Sequence, residues 1–458
     1  MLSLQLSDVA LWTRGSMHGP DVALRGVFTD TRAPVADALF VAIKGENFDA
    51  HDFVAAAMQS GAAAALVARA LPIDLPQVVV ADTLTALGDL ASAVRARRRA
   101  RVVGITGSNG KTTVKTLLAS ILALHGKTHV NEGNFNNEIG LPLSILAMPE
   151  DAQYAVLEMG AGKSGDIAWL AAIARPEIGL VNNIAPAHLE RMGTLEGIAE
   201  TKGALYTSLP AHGTAVINAD DAFASMFAGL AGKRQIVRFG LENPAHVSAE
   251  ISTLAEHATF DLAIGTQRIA VDLPLAGRHN LMNALAAASV AHALDVPIAT
   301  IKQGLESAKP VAGRMIRHAM PGGWTLIDDS YNANPGSTAA AIAMLAAEPG
   351  QSWLVLGDMR ELGADARALH ARIGELARSA GIDRVYTVGE LAAAAGQAFD
   401  GGVRHFPDQS TLAAALRADV RTNVQILVKG SRGSAMEHVV SALRGHIDGN
   451  GGGTRHAA

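Results

Sequence analysis

The chain has 458 residues, 49% of them hydrophobic but only 4% aromatic, with a formal net charge of −5 and no cysteine. That length exceeds what one hydrophobic core serves and points to about three domains. Without cysteine there are no disulfides, thiolate nucleophiles or Cys-based zinc sites, and the slightly acidic balance offers no global basic field to a nucleic acid.

Met1-Leu2-Ser3-Leu4-Gln5 lacks the basic and then apolar regions of a signal peptide. Apolar runs such as 61–66 are too short to span a bilayer. The expectation is a cytoplasmic chain with no membrane insertion. Residues 1–97 form a first unit, with strands at Leu39–Ile43 and Ala63–Val67 and a helix over 53–60 between them. It ends in the basic run Arg95-Ala96-Arg97-Arg98-Arg99-Ala100-Arg101, which reads as a solvated helix end leading into a linker rather than as a phosphate site.

Residues 98–312 read as a doubly wound, mainly parallel α/β domain, with strands at 102–106, 154–158, 178–182, 215–218 and 236–239 separated by helical patterns. From about 246 to 273 short alternating stretches such as Gln267–Val271 predict a small antiparallel insertion, and the Ala-rich 280–294 predicts a helix. The most informative stretch is Gly104-Ile105-Thr106-Gly107-Ser108-Asn109-Gly110-Lys111-Thr112-Thr113, set between a strand and a helix. A Gly-rich turn there aims backbone N–H groups at one point on the positive end of a helix dipole. Lys111 adds a mobile cation and the Thr112 hydroxyl can ligate Mg²⁺, which makes the stretch an ATP phosphate cradle. Five residues, not the usual four, separate Gly104 from Gly110.

Other polar residues follow strand ends, where open α/β sheets bind ligands. Glu158 closes one strand and can hold Mg²⁺ beside the phosphates. His188 follows the next strand, and Lys202 lies about two turns into a helix that begins after Gly193-Thr194. His279, Asn280 and Asn283 open the Ala-rich helix, where an Asn either reads an adenine edge or caps the helix. Residues 313–458 read as a second, Rossmann-like open α/β domain with strands at 325–327, 353–356, 385–388 and 425–428. Arg314 sits at its start. The polar loop Asp328-Asp329-Ser330-Tyr331-Asn332-Ala333-Asn334-Pro335 follows its first strand and reads as a binding loop, since a buried Asp needs a partner or ligand. Lys429-Gly430-Ser431-Arg432-Gly433 supplies two cations after its last strand. The Gly-rich tail 449–458 is expected to be disordered.

The ordered set of the glycine loop, Glu158, His188, Lys202, His279-Asn280, Arg314 and Asp329 resembles the Mur ligases, ATP-dependent amide-forming enzymes of peptidoglycan assembly whose core is shared by folylpolyglutamate synthases. Three further stretches narrow the resemblance: Asp30-Thr31-Arg32 with Leu39–Glu46 and Asp49–Phe53; Asn131–Gly140; and Asp329–Pro335. They are similar to the member that joins D-alanyl-D-alanine to UDP-N-acetylmuramoyl-tripeptide, and the Asp-Asn-Pro-Arg stretch of the ligase that adds the third residue is absent. The resemblance implies a UDP-sugar domain over 1–97, an ATP domain over 98–312 and a ligase domain over 313–458. It places Gly107, Ser108, Asn109, Gly110, Lys111, Thr112, Thr113, His279, Asn280, Asn283, Arg314 and Asp329 at ATP. Mg²⁺ falls to Thr112, Glu158 and His188, with a second ion near His188. Lys202 corresponds to a carbamylated lysine, and Arg314 to the cation that stabilises the migrating phosphoryl group. Thr31, Arg32, Lys44 and His51 fall to the UDP-sugar end. Asn134, Asn137, Tyr331, Asn332, Asn334, Lys429 and Ser431 fall to the rest of the substrates. A monomer is the family expectation. The rival readings are a sister ligase with another acceptor, and a P-loop kinase or NTPase, which needs neither Lys202 nor the Asn-rich loop.

Overall fold

The computed structural model describes residues 4–45, 48–186, 189–254 and 257–445. His188 and the tail 449–458 lie outside the described residues. The chain divides into two compact units, one of residues 1–184 and 199–308, the other of 185–198 and 309–458.

The first unit holds two main sheets. The smaller runs Ser16–His18, Gln77–Val79, Ala64–Val67, Leu39–Val41, Val27–Phe28 in spatial order, parallel except at the Ser16–His18 edge. Leu39–Val41 and Ala64–Val67 are fully buried, which is why they read as unbroken apolar runs. The larger sheet has nine strands in the order Gln267–Leu273, Ala258–Ile264, Val247–Thr253, Gln235–Phe239, Thr214–Asn218, Ile178–Val181, Arg101–Thr106, Tyr154–Glu158, Thr128–Val130. The six strands from Gln235–Phe239 to Thr128–Val130 are parallel. The expected antiparallel insertion extends this sheet through one parallel pairing, Phe239 with Val247.

Side chains alternate across that sheet. Val103, Ile105, Leu180 and Val216 face the helices Lys111–Ala123 and Arg278–Ala293 through Leu118, Ile121, Leu281 and Leu285. Val181, Ala215 and Ile217 face the other way, onto Tyr206 and Phe227. Ala284, Ala287, Ala288 and Ala291 are fully buried, so the alanine-rich helix lies close against its neighbours. Strand Arg101–Thr106 has the next strand but one on one side and Ile178–Val181 on the other. The direction of winding reverses there, and a crevice opens beyond the strand's carboxyl end.

The basic run is solvated only in part: Ala96, Arg97 and Arg99 are exposed as expected, but Arg95 and Arg98 are not. Helix Thr83–Arg95 does end there, but Arg95 is only 8% exposed. Its Nε donates to Ala174 O at 2.9 Å and its other nitrogens to Arg98 O and Arg175 O at 3.0 and 3.4 Å. It thus serves the last carbonyls of helix Asp166–Ala174, which have no intrahelical donors. Arg98 pairs with Glu150 at 2.9 Å with its side chain nearly covered. A guanidinium with carbonyl acceptors is tolerable inside, which composition does not reveal.

The second unit carries a six-stranded sheet in the order Ile316–Met320, Trp324–Asp329, Val424–Lys429, Gln351–Gly357, Arg384–Val388, Val403–Phe406, antiparallel only at its first pair. Its last strand inserts beside the first long one, so a second crevice forms beyond Asp329, Gly357 and Lys429.

Arg95→Met keeps the bulk of the side chain and leaves the Ala174 and Arg98 carbonyls without these donors. We expect a loss of about 2 kcal/mol, read as a lower thermal midpoint. An unchanged midpoint would show that water replaces the guanidinium without cost.

Candidate active site

The strand Arg101–Thr106 delivers the chain into the loop 107–110, and helix Lys111–Ala123 begins directly after it. Two glycines have no substitute. Gly107 sits at φ +148°, where a Cβ would lie 3.1–3.3 Å from Asn182 Cβ and the Asn182 and Asn183 backbone nitrogens. Gly110 sits at φ +78°, where a Cβ would lie 2.2 Å from Asn283 Oδ1 and 2.6 Å from Asn182 Nδ2. The loop therefore rests on a layer of asparagine amides. Ser108 N donates to Asn183 O and Asn109 N to Asn183 Oδ1, both at 2.9 Å. Asn182 Nδ2 donates to Asn109 O and to Asn283 Oδ1, both at 2.9 Å.

Asn182 and Asn183 were not singled out by the sequence reading. Their signal is a pair of amides immediately after an apolar strand. Asn280 and Asn283 belong to the same layer. Helix Arg278–Ala293 is capped at Gly277 with no side-chain cap, and Asn280 Nδ2 instead donates back to Ala276 O at 2.8 Å. Asn283, 5% exposed, supports the loop from beneath through its bond from Asn182. His279 sits half-buried in the first turn of that helix.

On the other side of the loop, Thr112 Oγ1 donates to Glu158 Oε2 at 2.9 Å, and Asn136 Nδ2 donates to Glu158 Oε1 at 2.7 Å. Glu158 is 3% exposed. Burial alone pushes its pKa up. The charges of Lys111 and Lys115, with the hydrogen bonds from Asn136 and Thr112, outweigh that and hold the carboxyl below its ordinary range. The Thr112 hydroxyl and an ionised carboxylate are hard oxygen donors, the set Mg²⁺ takes beside phosphate oxygens and water, so these two residues fit the ion. Lys111 Nζ lies 2.9 Å from Gly107 O, over its own loop. Thr113 follows in the same first turn, half-buried.

Lys202 is 1% exposed on helix Leu195–Thr207. Burial, then the nearby Lys111 charge, lower its pKa to about 7, against a smaller opposing effect of Asp166. A fraction of this amine is therefore neutral at physiological pH, which an exposed lysine is not.

The Asn-rich loop approaches Glu158 through Asn131 and Asn136, which lie in the quoted stretch 131–140 but were not among its expected site residues. Asn131, 1% exposed, accepts from Glu158 N at 2.9 Å and donates to Glu158 O and Phe135 O at 3.1 and 2.9 Å. Lys115 Nζ donates to Asn131 O at 2.7 Å. Of the two amides expected at substrate, Asn134 is exposed, while Asn137 Oδ1 accepts from Gly140 N at 2.8 Å and so serves the start of helix Gly140–Leu146.

In the smaller sheet, Arg32 is exposed and paired with Asp30 at 2.6 Å, with Thr31 half-buried beside it and Lys44 exposed. His51, expected at substrate, is 5% exposed with both ring nitrogens engaged: Nδ1 faces Asp49 Oδ1 at 2.5 Å and Nε2 accepts from Ala68 N at 2.8 Å. Its geometry is that of a strut. The His51 contacts hold Asp49 at a pKa of about 2.

The second unit gathers its predicted residues at its own crevice. Lys429, 2% exposed, donates to Asp329 Oδ2 at 2.6 Å and to Asn332 O at 2.8 Å. Lys429 is therefore matched by a carboxylate and is not a bare cation for an anionic ligand. Ser431 Oγ donates to Ala333 O and accepts from Arg360 N. Asn334 is the N-cap of helix Pro335–Ala346, in a reciprocal box with Ser337. Asn332 Oδ1 accepts from Ala333 N. Tyr331 lies between two guanidinium groups, Arg314 at 4.3 Å and Arg432 at 6.0 Å from its ring centre.

Residues 105–291 match the Mur ligase middle domain and residues 313–432 the Mur ligase glutamate ligase domain. A UDP-N-acetylmuramoyl-tripeptide–D-alanyl-D-alanine ligase of Escherichia coli strain K12 is 44% identical over 97% of this chain and 99% of its own length. A crystal structure of MurF from Acinetobacter baumannii superposes with a TM-score of 0.91 at 34% identity, covering 96% of this chain and 98% of that one. A MurF ligase from Thermotoga maritima in complex with ADP gives 0.82 at 29% identity, covering 93% and 98%.

A lysine with a pKa near 7 in the folded chain and about 10.4 unfolded makes the unfolded chain the better proton binder between those values, so its contribution to stability rises with pH across that window. In CO₂-free buffer, Lys202→Met is expected to be more stable than wild type at and below about pH 7, by a few kcal/mol, and the gain should vanish near pH 10. Urea unfolding of both proteins across this range checks it. A difference independent of pH would mean that Lys202 is not a buried, titrating amine.

Proposed function

This chain belongs to the Mur ligase family, and from that premise we propose that it joins D-alanyl-D-alanine to UDP-N-acetylmuramoyl-tripeptide at the expense of ATP, giving ADP, phosphate and UDP-N-acetylmuramoyl-pentapeptide. The observation that carries the reading is the meeting of Thr112 and Lys115 with Glu158 beneath a phosphate cradle, in the same compact unit as a buried lysine of lowered pKa. A plain NTPase has use for the first and none for the second.

The reaction proceeds in two transfers. A carboxylate oxygen of the tripeptide attacks the γ-phosphorus of ATP, the bond to ADP breaks, and an acyl phosphate results. The amine of D-alanyl-D-alanine then attacks the acyl carbon, phosphate leaves with the bonding electrons, and the nitrogen gives up a proton. Triphosphate, carboxylate and oxyanion must crowd together, which is strongly repulsive where water is excluded. The N–H groups of 107–113 grip the phosphates, and Lys111, on the first turn, swings its ammonium from its own loop carbonyls onto them. Thr112 and Glu158 would hold Mg²⁺, which would supply positive charge beside the phosphate oxygens. The rest is positioning.

Lys202 takes the role of the carbamylated lysine. CO₂ adds to an uncharged amine, and burial at this position favours the uncharged form; the product is an anion suited to orienting a second Mg²⁺, for which the family resemblance offers His188. In the second unit, Arg314 and Asp329 carry the phosphoryl and nucleotide roles that the same resemblance gives them. Residues 1–97 receive the UDP-sugar end, with Thr31, Arg32 and Lys44 as its contacts and His51 acting through Asp49. ATP and a UDP-linked precursor as substrates place the work in the cytoplasm.

Phosphate release by the purified protein should require ATP, UDP-N-acetylmuramoyl-tripeptide and D-alanyl-D-alanine together. Release that ignores D-alanyl-D-alanine overturns the assignment. Lys202→Ala should lose at least about a hundredfold in kcat, with partial recovery on adding short-chain carboxylates; near wild-type turnover would remove Lys202 from the mechanism.

A further inference from the structure

Helix Lys111–Ala123 has an apolar inner stripe of Val114, Leu117, Leu118 and Ile121, and one charge breaks it. Lys115 is 5% exposed, one turn beyond Lys111 and Thr112 on the same side of the helix. A buried ammonium is costly unless oxygens surround it. Lys115 Nζ has Asn131 O at 2.7 Å, Gly133 O at 3.3 Å and Glu158 Oε2 at 3.5 Å. Two of these oxygens belong to the start of the Asn-rich loop, and the third to the carboxylate beside Thr112.

The remaining contacts of that loop converge on the same strand end. Asn131 brackets the Glu158 backbone from both sides. Asn136 donates to the second Glu158 oxygen, and Gly160 N donates to Asn136 O at 2.8 Å. Asn134 and Phe135 are left projecting into solvent, Phe135 48% exposed. Backbone carbonyls at 131 and 133 thus fix where the exposed tip begins, and their cation comes from the helix that carries the phosphate-binding lysine.

We infer that Lys115 is a positioning residue that fastens the 131–136 loop to the nucleotide-binding helix, so that the loop tip is held ready for the peptide end of the UDP-linked substrate. The inference rests on the ligase reading for the identity of that substrate, but not for the fastening itself. Lys111 acts on phosphate, whereas Lys115 acts on two loop carbonyls at 2.7 and 3.3 Å and, at the longer distance of 3.5 Å, on the Glu158 carboxylate. Its loss therefore falls first on the acceptor. Through the Lys115 side chain the nucleotide helix thus grips the backbone of the acceptor loop directly.

The test is Lys115→Met, which keeps the length of the side chain and removes its three donors, beside Asn136→Ala, which cuts the loop's tie at a half-exposed position and spares the buried slot. Both are expected to raise the KM for UDP-N-acetylmuramoyl-tripeptide about tenfold, and by more than the KM for ATP at saturating Mg²⁺, because Lys111 and Thr112 still face Glu158 in both variants. In both, amide hydrogen exchange over 131–137 should quicken at least about tenfold, with helix 111–123 unchanged. The exchange arm needs no substrate, so it decides the fastening even if the wild-type chain proves inactive on the tripeptide. Unchanged exchange over 131–137, or equal increases in both KM values, overturns the inference. If Lys115→Met does not fold, Lys115→Gln, which removes the charge and keeps a polar donor at the same position, is read by the same criteria.

Discussion

A carboxylate removed from water loses its hydration and tends to take up a proton, and the nucleotide half of this molecule is arranged so that Glu158 does not. Two lysines one helical turn apart, a threonine hydroxyl and an asparagine amide all face it, and together they outweigh its burial. The requirement propagates outward. Lys115 must lie inside, so helix Lys111–Ala123 sacrifices an apolar position. Asn136 must reach the carboxylate, so the Asn-rich loop must double back onto the strand end. Thr112 must stand at the head of its helix, which fixes where the glycine turn releases the chain. An ionised Glu158 is also what a divalent cation needs, so the electrostatics that settle the fold there leave a metal-ready anion beside the phosphate cradle.

The two buried lysines of this unit show how surroundings divide one residue type into two tasks. Lys115 is matched by two carbonyls and a carboxylate, so its charge stays where it holds the loop and helps to keep Glu158 ionised. Lys202 is buried with Lys111 as a repelling neighbour and only a weaker pull from Asp166, and its proton is held loosely. Loss of charge makes an amine a nucleophile, so the poorer environment is the chemically useful one. Both sit on helices packed against one parallel sheet, and neither position stands out by residue type.

Most of the central parallel strands were legible because burial on both faces writes them as short unbroken apolar runs, whereas the short parallel strands Val27–Phe28 and Gln77–Val79 were not. The glycine turn between strand Arg101–Thr106 and helix Lys111–Ala123 was legible because a Lys-Thr pair after such a turn has no packing use. The edge strands Ser16–His18, Thr128–Val130 and Val403–Phe406 were not, since an edge needs few apolar residues and these have polar or half-exposed ones. At the site, sequence marks residue types but not the direction of their bonds. His51 looked like a ligand group and is a strut between Asp49 and Ala68. Asn137 and Asn334 serve helix starts. Lys429 looked like a cation awaiting an anion and already has Asp329. Conversely, Asn182 and Asn183 were not singled out, and Asn131 was quoted without a role, because amides gain their meaning only from the backbone groups that the fold sets opposite them.

The arginine that closes helix Asp166–Ala174 bears on how this chain can be taken apart. Read from composition, the basic run after residue 95 marks a seam where a gene could be divided. In the folded chain the seam is stitched: the Arg95 guanidinium belongs to the preceding helix and its acceptors to a helix eighty residues further on. A fragment ending there would expose a charge evolved for an interior, and the remainder would carry a helix end with open carbonyls. The compact grouping of the chain changes not at this linker-like stretch but near residue 309, and even there residues 185–198 group with the later unit, so no single cut separates the two.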